Sequence, residues 1–343
     1  MIAALLICAA AAIASFAAAW LVRRNARRLG VMQTPNARSS HSIPTPGGGG
    51  VGIVLGGTLA TAYAALAAPW PMLGLLVISV LVAAIGFVDD RTPIPARFRL
   101  TAQLALMGAA IWISGTVGAL TAQLGLPLPE LVVGAAAVIV AVYWLNLFNF
   151  MDGIDGIAGS EAVFLLLAAA LLAALHTPGA TETTVWWVLP GLAAACLGFL
   201  ALNWPPAKIF MGDAGSTYLG LMTAVLALLT IAAGWLSLAQ WVILTAAFVV
   251  DATVTLARRL LLRERVFEAH RRHAYQVLSR RLGSHRPVTL GYIGLDVLWL
   301  LPLASLAGNA GWALPAIAAA YLPLIGLALV FGAGAPEVAV RPK

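Results

Sequence analysis

The feature that most constrains this chain is a series of long apolar stretches without a single charged residue, such as 131–145 and 219–235. A helix needs about 20 mainly apolar residues to cross a bilayer, and it satisfies its own backbone hydrogen bonds in lipid. Only 10% of the residues are charged, whereas a water-soluble domain would carry about a quarter. The sequence therefore predicts an all-α integral membrane protein.

Charged residues and Pro–Gly breakers divide the chain into about eleven predicted transmembrane helices. These lie near 1–22, 48–67, 71–88, 100–117, 131–148, 157–175, 186–202, 216–233, 238–257, 288–306 and 311–332. The longest loop between them is too short to fold as a separate soluble domain. The whole chain, 1–343, is therefore predicted to form a single polytopic membrane domain.

The distribution of basic residues predicts the orientation of these helices. With the N-terminus outside, the C-terminal tail and five loops fall in the cytoplasm: 23–47, 89–99, 149–156, 203–215 and 258–287. Every Lys and Arg then lies on that side, as the positive-inside rule requires. The net charge of +7 is explained by these loops, so no nucleic-acid partner is predicted. Because arginines follow the first apolar run and no positive charge precedes it, this helix is expected to remain uncleaved.

Acidic residues form three groups at the predicted cytoplasmic ends of the helices. They are Asp89 and Asp90, Asp152 and Asp155, and Asp213. Buried neighbouring carboxylates repel each other unless a cation compensates them. Mg²⁺ takes oxygen ligands, typically one or two carboxylates plus substrate phosphates. Without an adjacent His or Cys ligand set, the pattern predicts Mg²⁺, or Mn²⁺, rather than zinc. The alternative is a set of solvated, inert helix ends.

Polar residues recur at every third position where the fifth predicted helix ends. They are Asn146, Asn149, Asp152 and Asp155. On a helix this spacing produces one slowly drifting polar stripe. A helix end that simply enters water explains one Asp, but it does not explain four polar residues at a fixed spacing. The stripe therefore indicates a binding or catalytic surface.

The segment 203–216, NWPPAKIFMGDAGS, predicts a rigid turn that runs into a helix. Gly212 lets the backbone approach a ligand closely, and the N-terminus of the following helix favours an anion. Phe210 is able to stack on a base, and the alternative is a core or lipid-facing position. Asn203 opens the turn.

Two basic loops complete the candidate site. The last loop contains His270, Arg271 and His273, which are able to clamp a diphosphate because Arg binds phosphate bidentately. The alternative is an ordinary positive-inside loop, which explains the arginines but not the paired histidines. The first loop, 38–50, is rich in Pro and Gly. It is able to cradle a phosphate through backbone amides or to act as a flexible turn.

Taken together, these loops resemble the polyprenyl-phosphate N-acetylhexosamine-1-phosphate transferase family. The matching segments occur in the family's order: 86–91, 99–103, 146–156, 203–220 and 270–273. The amino-acid sequences of the first and last loops look most like those of the enzymes that initiate O-antigen. Arg272 stands where the family often has a middle histidine, and Gly47 stands where it often has a basic residue. The first departure argues against peptidoglycan-type use and leaves the sugar open.

The resemblance implies a role for each matching residue. The implied catalytic residues are Asp89, Asp90, Asp152, Asp155 and His270. The implied substrate-binding residues are Asn146, Asn149, Asn203, Phe210, Arg271 and His273. The implied magnesium ligands are Asp213 and Asp90. Within these sets, Asn203 and Phe210 would hold the uridine, and Asp89 and Asp90 would lie near the metal and the lipid phosphate.

The resemblance also implies the reaction. An N-acetylhexosamine 1-phosphate would pass from a UDP-sugar to undecaprenyl or another polyprenyl phosphate, with release of UMP. This step would initiate a cell-envelope glycan such as O-antigen at the cytoplasmic face of a bacterial inner membrane. Either the lipid phosphate attacks directly, or an Asp89 phospho-enzyme forms first. A homodimer would be similar to some relatives, but the sequence leaves the oligomeric state open.

Two other classes of protein compete with this interpretation. A secondary transporter places its binding residues near the bilayer midplane, whereas the grouped acids here lie at helix ends. Asp251 and Asp296, within or near predicted helices, are the exceptions, and intramembrane acids are functional candidates. A non-catalytic membrane scaffold gives no reason for five grouped acids on one side.

Overall fold

The computed structural model describes residues 2–34, 43–264 and 270–336. Its helices are α1 (Ile2–Leu29), α2 (Gly50–Ala65), α3 (Pro69–Arg91), α4 (Ala96–Ser114), α5 (Val117–Leu124), α6 (Glu130–Met151), α7 (Ile157–His176), α8 (Val188–Asn203), α9 (Asp213–Ala232), α10 (Leu238–Leu244), α11 (Ala246–Leu261), α12 (Ala274–Leu282), α13 (Arg286–Leu295), α14 (Leu301–Leu306) and α15 (Ala310–Phe331). A short 3₁₀ turn covers Ala180–Glu182, and a π-helical turn, Asp296–Leu300, joins α13 to α14. Part of the predicted phosphate-cradling loop, 38–42, and the tail 337–343 lie outside the described residues.

The only strands in the described ranges are two residues long each. β1 (Met32–Gln33) and β2 (Thr45–Pro46) pair antiparallel, with Met32 opposite Pro46. They join the end of α1 to the approach to α2. The prediction of an all-α membrane protein is confirmed.

The predicted count of eleven transmembrane helices is not confirmed. In the described part of the chain, seven helices are long and apolar enough to cross a bilayer, or up to nine if each of two bent pairs is one crossing. The bent pairs are α4–α5, with an angle of 84°, and α10–α11, with an angle of 68°. Helices α2 and α8 each have 16 residues, fewer than the roughly 20 that a straight crossing needs. The orientation remains a prediction.

Helices α7 and α9 form the centre of the bundle. In their most apolar windows 78% of the residues are buried inside the protein, against 22% in α1 and α15. A helix that is apolar on all sides suits either the core of a large protein or lipid. Here α7 and α9 are largely enclosed by other helices, whereas α1 and α15 present most of their apolar surface outward.

Helix α9 packs between α3 and α6, and small residues allow this close approach. A Cβ atom built on Gly220 would lie 2.7 Å from the Cα atom of Leu145 in α6. A Cβ on Gly86 of α3 would lie 2.5 Å from the carbonyl oxygen of Asp213. These glycines therefore bring the end of α3, the end of α6 and the start of α9 together.

We expect Gly220→Ala to destabilise the protein by about 1–3 kcal/mol, because the added methyl group has to displace the backbone of α6. Thermal unfolding in detergent would measure this as a lower Tm. Gly326→Ala in α15 is the matched control, since nothing lies within 4 Å of its Cβ position. It should be neutral or stabilising by up to about 1 kcal/mol. Equal Tm values for the two variants would contradict the close approach of α6 and α9.

Candidate active site

Three helix ends meet at one point of the bundle. Helix α3 ends with Asp89 and Asp90, α6 ends just before Asp152, and α9 begins at Asp213. Asp90, Asp152 and Asp213 line one pocket of about 270 Å³. The structure thus brings together acidic residues from the three groups that the sequence singled out.

Asp90 holds the N-terminus of α9. Its Oδ1 atom accepts a hydrogen bond from the Asp213 N–H at 2.9 Å, and its Oδ2 atom accepts one from the Ala214 N–H at 3.3 Å. Helix N-termini carry unsatisfied N–H groups and favour a negative charge. Gly212 precedes the helix with φ of 76°, and a Cβ there would lie 2.6 Å from Asp90 Oδ2. Asp90 thereby fixes where Asp213 stands.

The Asp213 carboxylate is held from two sides. Its Oδ1 atom accepts a hydrogen bond from Asn149 Nδ2 at 2.9 Å, and the same amide lies 2.8 Å from Ser216 Oγ. Its Oδ2 atom lies 3.4 Å from Arg99 Nη1, which also forms an ion pair with Asp89. Arg99 therefore bridges the carboxylates of α3 and α9. In the sequence Arg99 was only part of a matching segment. Its position one turn into α4, the helix that follows the Asp pair, is the sequence feature that could have identified it as a site residue.

Asp152 stands among other carboxylates. Burial, followed by the charges of Asp213 and Asp90, raises the pKa of Asp152 well above its usual range. The pocket around it is lined by Gln33, Asp90, Asn149, Asp152, Gly153, Ile154, Asp155, Asn203, Phe210, Met211, Gly212, Asp213, Gln276 and His285. A cation or a positively charged group in this pocket would relieve the repulsion.

A second, narrow pocket of about 20 Å³ lies on the other side of Asn149 and Asp213. Its polar wall contains Asp89, Arg99 and Gln103, and its apolar wall comes from α3 and α4. Asn146 lies here rather than in the larger pocket, and it donates a hydrogen bond to Gln103 Oε1 at 2.8 Å. Only Asn146 and Asn149 of the predicted helical stripe lie on α6, which ends at Met151, whereas Asp152 and Asp155 lie in the loop that follows. The four residues line two adjoining pockets.

Asn203 and Phe210 both line the larger pocket. Asn203 Oδ1 accepts the Gly156 N–H at 2.9 Å, and its Nδ2 atom donates to the Ile209 carbonyl at 2.9 Å. The two hydrogen bonds of the buried Asn203 side chain connect the loop after α6 to the turn before α9. The Phe210 N–H donates to the Pro46 carbonyl at 2.8 Å, which attaches the described end of the first loop to this wall.

The loop with His270 and His273 lies beside the larger pocket, but neither of these histidines lines it, whereas Gln276 and His285 do. His273 is buried, and its ring stacks on His270 with centroids 4.9 Å apart. Burial is the largest cause, and nearby positive charges the next, of the lowering of the pKa of His270 to about 3. His270 is therefore neutral at pH 7. The assignments of His270, Arg271 and His273 stay predictions.

Asp251 is the buried anchor of this loop. Its Oδ1 atom accepts the Ala274 N–H at 2.7 Å, and its Oδ2 atom accepts the Tyr275 N–H at 3.0 Å and the Tyr292 hydroxyl at 2.7 Å. The His273 ring lies 3.5 Å from Oδ1. Asp251 thus holds the N-terminus of α12 and orders the histidine loop. Asp296, the second acid that the sequence placed within or near a helix, lines neither of the two pockets described above and is buried in the π-helical turn.

Helix α12 is attached in turn to the carboxylate loop. The Tyr275 hydroxyl donates to the Phe150 carbonyl at 2.9 Å. A Cβ on Gly153 would lie 2.9 Å from Gln276 Nε2 and would clash with the Tyr275 hydroxyl. The loop that carries Asp152 and Asp155 therefore packs directly on α12.

Comparisons with known proteins agree with these features. The model of glycosyl transferase family 4 matches residues 72–231. A Mycobacterium tuberculosis decaprenyl-phosphate N-acetylglucosaminephosphotransferase is 30% identical over 321 residues, which cover 82% of this chain and 76% of the relative. This chain belongs to the polyprenyl-phosphate N-acetylhexosamine-1-phosphate transferase family. The resemblance seen in the sequence is confirmed, and the chain is a multi-pass membrane protein of this family.

Other members of the family differ in their named substrates. A Bacillus subtilis protein, a probable undecaprenyl-phosphate N-acetylglucosaminyl 1-phosphate transferase, is 27% identical over 274 residues, covering 78% of this chain and 74% of the relative. A Moorella thermoacetica phospho-N-acetylmuramoyl-pentapeptide-transferase is 34% identical over 228 residues, covering 60% of this chain and 68% of the relative. Membership alone therefore does not select the sugar.

We expect Asp251→Ala to lower stability by about 3–5 kcal/mol, because it leaves the buried N–H groups of α12 and the Tyr292 hydroxyl without their acceptor. The measurement is the Tm of purified protein in detergent. Glu182→Ala, at an exposed turn, is the control and should leave Tm within about 1 °C, as surface substitutions do. An unchanged Tm for Asp251→Ala would show that this network does not stabilise the fold.

Proposed function

We propose that this protein transfers an N-acetylhexosamine 1-phosphate from a UDP-sugar to a polyprenyl phosphate, yielding a polyprenyl diphosphate sugar and UMP. The observation that carries the proposal is the meeting of three carboxylate-bearing helix ends at two adjoining pockets. One pocket is polar and roomy, and the other is narrow and partly apolar. A reaction between a water-soluble donor and a lipid acceptor needs a site of this kind.

The larger pocket suits the nucleotide-sugar donor. Phe210 offers an aromatic face for a base, and Asn203 and Asp155 supply polar atoms beside it. Binding pockets combine an apolar or aromatic surface with a few fixed polar groups. The diphosphate of the donor would then extend toward Asp152 and Asp213.

The narrow pocket suits the phosphate end of the lipid acceptor. Its apolar wall is formed by Val82, Ile85 and Leu106, and Arg99 is its cationic group. An arginine is able to bind a phosphate bidentately. Arg99 now bridges Asp89 and Asp213, so an arriving phosphate would compete with those carboxylates for the guanidinium.

Mg²⁺ is the cofactor that the residues fit best. Asp90, Asp152 and Asp213 offer only oxygen ligands, and Mg²⁺ commonly takes one or two carboxylates plus substrate phosphates. Among the described residues there is no group of three or more His, Cys, Asp or Glu arranged to hold a metal ion. We assign Asp213 as the leading ligand, with Asp90 beside it. When bound, the ion would offset negative charge on the diphosphate.

Direct attack of the lipid phosphate is the favoured mechanism. An oxygen of the lipid phosphate forms a bond to the sugar-bearing phosphorus of the donor, and the bond from that phosphorus to the bridging oxygen breaks, releasing UMP. A phosphate monoester has a second pKa near 6, so the nucleophile is already mostly ionised. Asp89 accepts the Ile94 N–H at 2.6 Å and pairs with Arg99, which makes its carboxylate a weaker nucleophile for the two-step route.

The proposed membrane location and the proposed glycan rest mainly on the sequence. The basic loops and the site lie at the same helix ends, which supports an active site on the cytoplasmic face of a bacterial inner membrane. Arg272, which replaces the family's middle histidine, forms an ion pair with Glu264 at 2.6 Å. The resemblance of the first and last loops, with Arg272 at the position of the middle histidine, favours the initiation of an O-antigen-type glycan over peptidoglycan synthesis.

We expect membranes that contain the protein to move label from a UDP-N-acetylhexosamine into an organic-extractable lipid. EDTA should abolish the transfer and Mg²⁺ should restore it. Asp213→Asn should reduce the rate by at least about a hundredfold, because it removes a charged ligand beside the diphosphate. Glu182→Gln, at the exposed turn, is the control. Label that accumulates as soluble cargo inside vesicles, without lipid product, would instead identify a transporter.

We expect Arg99→Gln to raise the KM for polyprenyl phosphate by about tenfold or more, with a smaller effect on the KM for the UDP-sugar. Steady-state kinetics with each substrate varied in turn would measure both values. Arg97→Gln is the matched control, because Arg97 is exposed two residues away and stacks on Phe98. A rise in the KM for the UDP-sugar alone would contradict the assignment of Arg99 to the lipid-acceptor pocket.

A further inference from the structure

One contact in the larger pocket joins residues that lie 130 positions apart in the sequence. The Asp155 N–H donates a hydrogen bond to His285 Nδ1 at 3.3 Å, and the same Nδ1 atom lies 3.2 Å from Asp155 Oδ1. The side chains are 17% and 12% exposed, so the contact is largely shielded from water. His285 lies in the turn between α12 and α13, outside the matching segments that suggested the family.

The same region of α13 also holds the backbone of Asp155. The Thr289 hydroxyl donates to the Asp155 carbonyl at 2.9 Å. On the other side, the Ala207 N–H donates to Asp155 Oδ2 at 2.9 Å. Asp155 therefore connects three parts of the site: the end of the α6 loop, the turn before α9 and the start of α13.

The position of this contact relates it to the donor. His285, Asp155 and Phe210 all line the 270 Å³ pocket, and they also line an adjoining opening of about 680 Å³. The opening includes the exposed residues Arg280 and Arg286. The His285–Asp155 pair thus forms part of the wall between the two spaces, next to the aromatic ring proposed to face the base.

The orientation of Asp155 matters because its pocket already contains three other carboxylates and is proposed to receive an anionic diphosphate. A carboxylate that is free to rotate there would repel the donor, since like charges in a partly buried site interact strongly. A carboxylate fixed against Ala207 and His285 stays in the wall. Pre-organised side chains also cost a ligand less on binding than side chains that have to be ordered.

We propose that His285 is a positioning residue for the nucleotide-sugar donor, which holds the Asp155 carboxylate in the wall of the donor pocket. The proposal rests on the proposed function, because it assigns the larger pocket to the UDP-sugar. It adds a specific residue and a specific effect: His285 acts on the binding of the donor and not on the lipid acceptor.

The test compares two substitutions of His285 in the full-length enzyme. His285→Leu removes the nitrogen that accepts the Asp155 N–H, whereas His285→Gln keeps an amide oxygen that is able to accept it. We expect the Leu variant to raise the KM for the UDP-sugar about tenfold, with kcat and the acceptor KM changed by less than about twofold. The Gln variant should return the donor KM to within about threefold of wild type. His176→Leu, at the exposed end of α7, is the matched control.

A double-mutant cycle identifies the partner. If His285 acts through Asp155, then adding His285→Leu to Asp155→Asn should change the donor KM by less than about twofold further. An unchanged donor KM in His285→Leu, an equal rise in the acceptor KM, or additive effects in the cycle would each overturn the inference. A wild-type protein that transfers no sugar from any UDP-N-acetylhexosamine would overturn the proposed function and the inference together. An active wild type with an unaffected Leu variant overturns the inference alone.

Discussion

The structure depends on one electrostatic problem, which is the placement of several carboxylates at a shielded junction of apolar helices. Unpaired buried charges cost several kcal/mol each. Asp90 is stabilised by the N-terminus of α9, Asp213 by Asn149 and Arg99, and Asp155 by the Ala207 N–H. Asp152 differs from them, because its strongest electrostatic neighbours are other carboxylates. The remaining repulsion is concentrated in the pocket around Asp152, where a bound cation would offset it.

Helix packing and the electrostatics of the site depend on each other. The close approach of α9 to α3 and α6 is possible only because Gly86 and Gly220 carry no side chain. That approach lets Asp90 cap the helix that begins with Asp213, and it lets Asn149 reach the Asp213 carboxylate. Helices in lipid gain little from burying apolar surface against each other, so small residues and interhelical hydrogen bonds are expected to hold such a junction.

The sequence predicted the class of fold and the meeting of the three acidic groups, but it did not predict the contacts between side chains. The charge distribution was enough to expect that Asp90, Asp152 and Asp213 meet, because all three lie at helix ends on the same predicted face of the membrane. The sequence could not predict that α2 and α8 are only 16 residues long or that α4 bends into α5 by 84°. Nor could it pair His285 with Asp155. Such pairs depend on the angles at which helices cross, and an apolar sequence does not specify those angles.

The two pockets explain how one site can serve substrates from two phases. They share only Asn149 and Asp213, which stand between the polar space near Phe210 and the narrow space near Arg99. A nucleotide-sugar entering from water and a phosphate carried by a lipid would therefore approach the same carboxylate from opposite sides. Attack from the Arg99 side and departure of the leaving group on the Phe210 side would then match the in-line geometry of phosphoryl transfer. Asn149 donates a hydrogen bond to Asp213 and borders both pockets, so a change at Asn149 would reach both spaces.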